Sequence, residues 1–154
     1  MVRVLEREQW LPITPQEAWE FFSTPLNLAK ITPPEMGFRI QEPFDKRSIW
    51  AGQRITYRVS PLLGIPLTWV TCIALVDAPN RFVDVQVKGP YKRWWHQHTF
   101  TAKDGGTLMQ DRVEYELPFG VLGNIVHALV VRKELVRIFD FRSRTLEHFF
   151  GKGR

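Results

Sequence analysis

The chain has 154 residues, 44% of them hydrophobic and 24% charged, with a formal net charge of +5. That length suits one domain, 1–154, and that balance excludes a disordered chain. No apolar run approaches the ~20 residues of a membrane-spanning helix, and the single cysteine, Cys72, excludes an intrachain disulfide.

Taken in chain order, VRVLEREQWL predicts a first strand ending near Pro12. Thr14, Pro15 and Glu17 then form an N-terminal capping signature, T-x-x-E with proline at the first helical position, for a short helix Pro15–Phe22. A second short helical segment, PLNLAKI from Pro25, is stopped by Pro33-Pro34. From Phe38 the pattern turns to strands: FRIQEPF, then QRITYRVS, LTWVTCIALV, RFVDVQVKG, the stretch up to Lys103 and MQDRVEYELP. From about Gly123 to Phe150 a helical period returns, with Ile125, Leu129, Val136, Phe139, Leu146 and Phe150 in line. The expected class is α+β. A curved antiparallel sheet of about seven strands carries two short helices after its first strand. One long C-terminal helix covers it.

The charge is uneven. Residues 130–154 hold seven basic and three acidic side chains, so four of the five net charges lie there. This is the solvated face of an amphipathic helix, or a face that meets an anionic membrane or protein. No nucleic-acid motif accompanies it, so no nucleic acid is expected. MVRVLEREQW has no apolar core of a secretory leader, so the cytoplasm is the expected location.

The densest chemistry sits in KRWWHQHTF, residues 92–100. If Asp104-Gly105 is a two-residue hairpin turn, paired residue numbers sum to 209 and His98 faces Asp111, His96 faces Val113 and Trp94 faces Tyr115. A Gly105-Gly106 turn gives a sum of 211 and sets His98 against Val113. Either way Trp94, His96, His98, Phe100, Asp111 and Tyr115 share the inner face. Buried polar groups must satisfy one another or a ligand. The group is therefore a ligand anchor, a self-satisfied cluster that holds register, or an acid–base set of His98, Asp111 and Tyr115. A metal would need a third and usually a fourth protein ligand beyond H-x-H, so no metal is expected, and no cofactor motif is present. Cys72, in an apolar run, reads as an inert buried thiol.

The apolar walls come from Ile55, Tyr57 and Val59, from either the Trp69, Thr71, Ile73 set or its alternate, and from Phe82 or Val83, Val85 and Val87. In SPLLGIP, Leu62, Leu63 and Ile65 sit at a hairpin tip, which suits a lid or a contact patch.

The capped pair of short helices, PPEMGF, GPYKRWWHQHTF and DRVEYELPFG before the last helix together resemble the SRPBCC superfamily, the START and Bet v 1-like helix-grip proteins, and most closely a small bacterial ligand-binding or polyketide cyclase/dehydrase-like branch. The resemblance implies a hydrophobic ligand, lipid-like or aromatic, between sheet and last helix. Tyr57, Trp69, Trp94, His96, His98, Phe100, Asp111 and Tyr115 would contact it, with Leu62 and Ile65 at the entrance. It leaves open a cyclase or dehydratase acting by acid–base catalysis, an interaction module that uses the basic helix, and dimerisation through edge strands.

Overall fold

The computed structural model describes residues 1–41 and 47–153. Strand β1 (Arg3–Leu11) leads to α1 (Pro15–Phe22), two 3-10 turns (Pro25–Ile31 and Pro34–Met36), and strands β2 (Arg39–Ile40), β3 (Arg54–Val59), β4 (Leu67–Asp77), β5 (Arg81–Lys88), β6 (Arg93–Lys103) and β7 (Gly106–Glu116). Helix α2 (Gly120–Val126), a π turn (His127–Val131) and α3 (Arg132–Phe150) complete the chain. The expected strand FRIQEPF survives as β2 alone, and its residues 42–44 lie outside the described residues.

All seven strands form one antiparallel sheet in the order β1-β7-β6-β5-β4-β3-β2. Asp104 and Gly105 both take positive φ, as a type I′ turn demands, and Lys103 pairs with Gly106. The β6/β7 register therefore sets His98 against Asp111, His96 against Val113 and Trp94 against Tyr115. At the start of α1 the Thr14 side chain accepts from the Glu17 amide while the Glu17 carboxylate accepts from the Thr14 amide, so two orphan donors are satisfied at once.

The long final helix departs from its expected phase. Ile125 and Leu129 are exposed. The inward line is Gly123, His127, Val131, Leu135, Phe139, Arg142 and Leu146. The π turn adds residues per turn, so a four-residue spacing stays on the inner face there, and the phase read from a uniform 3.6 period slips. No helix of the described residues is long and apolar enough to cross a membrane.

Two apolar clusters form under α3. One joins Leu11, Trp19, Ile55, Ile73, Phe82, Phe100 and Leu146; the other joins Val59, Trp69, Tyr91, Val113, Tyr115, Leu135 and Phe139. The two histidines of β6 lie at their junction. His98 stacks on Phe82 at 4.0 Å and His96 meets Phe139 edge-on at 5.9 Å.

Candidate functional site

A cavity of about 200 Å³ lies between the sheet and α3. Its walls are mostly apolar and aromatic. Tyr57, Trp69, Trp94 and Phe139 contribute rings, and Ile55, Ile73 and Ile138 contribute aliphatic surface. On β4 the inner set is Trp69, Thr71 and Ile73, which resolves the ambiguity of that strand; Cys72 points the other way and is half-buried rather than buried. On β5 the inner set is Phe82 and Asp84, not the valines: Val87 is exposed. Register shifts on β4 between Val70 and Thr71 and between Ile73 and Leu75 accompany this change of face.

The cavity has a polar floor. Asp84, His96, His98 and Arg142 line it, and Asp111 lies behind them, 3% exposed. His96 Nε2 bonds Asp111 Oδ1 at 2.8 Å and His98 Nε2 bonds Asp84 Oδ2 at 2.7 Å. The second nitrogens face the opposite carboxylates, His98 Nδ1 at 3.2 Å from Asp111 and His96 Nδ1 at 3.7 Å from Asp84. The His98 Nδ1 contact is an ion pair without hydrogen-bond alignment, so that nitrogen remains unbonded. The two rings lie with centroids 3.7 Å apart and planes tilted by 32°. A guanidinium nitrogen of Arg142 stands 3.6 Å from Asp111 Oδ1.

Burial opposes every charge here, and the partners decide each outcome. Burial favours the protonated carboxyl of Asp111, but the Arg142 charge, the hydrogen bond of His96 and the close approach of His98 hold it well below the carboxylate range. Asp84 is lowered in the same contest, by its bond to His98 and the charges of His96 and Arg142. Burial lowers His96, and the charge of His98 lowers it further. Burial also works against the His98 imidazolium, yet Asp111 and Asp84 together outweigh it and raise His98. The floor thus shifts two neighbouring imidazoles in opposite directions. Burial raises the Tyr57 phenol, which shares a hydrogen bond with Thr71 Oγ1 at 3.1 Å.

Of the residues expected to contact a ligand, Tyr57, Trp69, Trp94, His96 and His98 line the cavity. Phe100 packs instead in the core between Trp19, Phe22 and Phe82. Asp111 reaches the cavity only through the histidines. Tyr115 turns away to His127, with its hydroxyl 2.7 Å from Nε2. Leu62 packs on the second core cluster and Ile65 is exposed, while Pro61 of that loop lines the cavity. Sequence reasoning missed Asp84 and Arg142. Both carried a signal: Asp84 shares parity with Phe82, and Arg142 falls in line with Leu135, Phe139 and Leu146.

Asp84, His96 and His98 each offer one ligand atom within 4.8 Å of the others, the one group of three such residues among those described. As arranged, their nitrogens are directed at carboxylates, and the closely packed rings would have to spread to converge on one ion.

No family model matches the chain, and no curated protein matches it. Solved structures do. A major latex-like protein from Panax ginseng superposes with a TM-score of 0.68 at 16% identity, covering 97% of each chain. Norcoclaurine synthase from Thalictrum flavum, solved with a transition-state analogue, gives 0.65 at 18%, again over 97% of each. The chain has the Bet v 1-like helix-grip fold. A nucleoside-diphosphate sugar epimerase from Corynebacterium glutamicum matches 92% of this chain at 25% identity and a TM-score of 0.65, but over only 28% of its own length. The same fold therefore occurs there as one part of a longer chain.

Proposed function

We propose that this protein binds a small apolar molecule, aromatic or lipid-like, in the cavity between the sheet and α3. One observation carries the reading: an aromatic-walled cavity of about 200 Å³ whose floor is a buried set of ionisable side chains. The volume exceeds the ~150 Å³ that accepts benzene in an engineered cavity, so at least one ring fits. Apolar burial supplies the affinity, and the floor supplies orientation. The norcoclaurine synthase match is support of a general kind, since that protein was solved holding a ligand analogue. The test is the mass of the purified protein under native spray conditions against its denatured mass. An excess of organic mass that leaves on denaturation supports the reading. Equal masses, together with no binding of any apolar probe, would defeat it. An excess matching one divalent metal would instead assign the floor to an ion on Asp84, His96 and His98.

A second reading rests on the surface. Phe119, Val121, Leu122 and Leu129 are all exposed on and beside α2, with Phe119 81% exposed. Arg132 and Lys133 follow them directly. An apolar patch beside basic side chains suits the interface of an anionic bilayer, from which an apolar ligand could be collected. The His98–Asp84 couple also has the form of an acid–base pair, which a catalytic alternative would use.

A further inference from the structure

Arg142 is 7% exposed, lines the cavity and makes no hydrogen bond among the described residues. A guanidinium carries five N–H donors in a plane. Its Nε is buried with no hydrogen-bond partner, which is costly. Its ion-pair partner among the described residues, Asp111 Oδ1, stands 3.6 Å away and is already bonded to His96 at 2.8 Å. The rings of Phe22 and Phe139 flank it, 5.3 and 5.7 Å from the guanidinium carbon. Such packing shields the group from water and fixes its plane without using its N–H bonds. Two further polar atoms of the cavity wall are unbonded, Trp69 Nε1, also a donor, and His98 Nδ1. Asp84 and Asp111, the acceptors of the floor, are by contrast engaged by the histidines.

We infer that the ligand of this cavity is an organic acid, with its carboxylate seated in the plane of the Arg142 guanidinium and its apolar body against the aromatic walls. The inference rests on the cavity being the binding site. A planar fork bonded at two points to a carboxylate is the arrangement an arginine is built for, and one a lysine cannot reproduce.

The experiment uses three acids, each paired with its primary amide: benzoate, 2-naphthoate and octanoate. Binding is read by calorimetry and by quenching of tryptophan emission. The expected result is that at least one acid binds about tenfold or more tightly than its amide. Arg142→Gln should bring that ratio to about one while amide binding persists. Arg142→Lys should fall between. If acid and amide bind the wild type equally, or the preference survives in Arg142→Gln, the acid seat is overturned and the cavity reading stands. If no pair binds at all, both readings fall. Should Arg142→Gln not fold, the wild-type preference and Arg142→Lys decide.

Discussion

His98 bonds Asp84 at 2.7 Å, although the residue directly opposite Asp84 in the sheet is His96. The same holds on the other side of β6: Asp111 stands opposite His98 but bonds His96 at 2.8 Å. Both short bonds run diagonally, and both direct contacts are longer, at 3.7 and 3.2 Å. A right-handed twist brings one diagonal of a strand pair closer, which lets two adjacent rings share two carboxylates. Losing either carboxylate removes the hydrogen bond of one histidine and the ionic contact of the other.

Asp111→Asn should therefore be strongly destabilising. Removing one partner from a buried charged network typically costs about 3–5 kcal/mol. Asp84→Asn should cost less, because that side chain is 17% exposed against 2% for Asp111. Urea unfolding of the two variants beside the wild type gives the order. Equal losses would show that burial does not govern the cluster.

The two histidines should titrate on opposite sides of their ordinary value of 6.5. For His98 the folded value is raised, so its imidazolium stabilises the fold fully below 6.5, and that contribution is lost as pH rises through the raised value. For His96 the folded value is lowered, so its contribution is present above 6.5 and is lost as pH falls toward the lower value. Imidazole nitrogen shifts from NMR will separate the two. His98→Asn should flatten the alkaline side of the stability curve.

Tyr115→Phe tests a different site. The hydroxyl bonds His127 Nε2 at 2.7 Å and lies outside the cavity lining. Leaving that buried imidazole unpaired should cost about 1–3 kcal/mol. Ligand affinity should not change. A loss of affinity with unchanged stability would return Tyr115 to the ligand site.

Filling the cavity should abolish binding without unfolding the chain. Ile138 lines the cavity from α3 and is only half-buried, so Ile138→Trp can place its ring in the open volume. Probe affinity should fall about tenfold or more, with a melting temperature within a few degrees of wild type. Undiminished binding would place the ligand elsewhere.

On the surface, Leu122→Glu with Leu129→Glu should remove binding to vesicles containing anionic lipid. Wild-type binding should weaken as salt rises, since exposed charges are screened. Binding that survives the double substitution would free α2 of that role.

Much of this architecture is local and so legible in the residues. Thr14 to Glu17 specify a helix start by hydrogen bonds within four residues, and Asp104-Gly105 specifies a turn whose register follows down the whole β6/β7 hairpin. The inner face of Trp94, His96 and His98 follows from that register because side chains alternate along a strand. What tertiary structure alone decided is which groups meet. The choice of His96 rather than His98 for Asp111 depends on the twist between strands, which no spacing encodes. Asp84 entered the site because β5 turned Phe82 inward beside an irregular β4, against an alternation of valines that points the other way. Arg142 looked like one more charge on a basic helix. It lies inward because the π turn sets the phase of the last helix and two phenylalanines cover its guanidinium. Alternation and capping act over a few residues, whereas burial of a charge depends on every element packed against it.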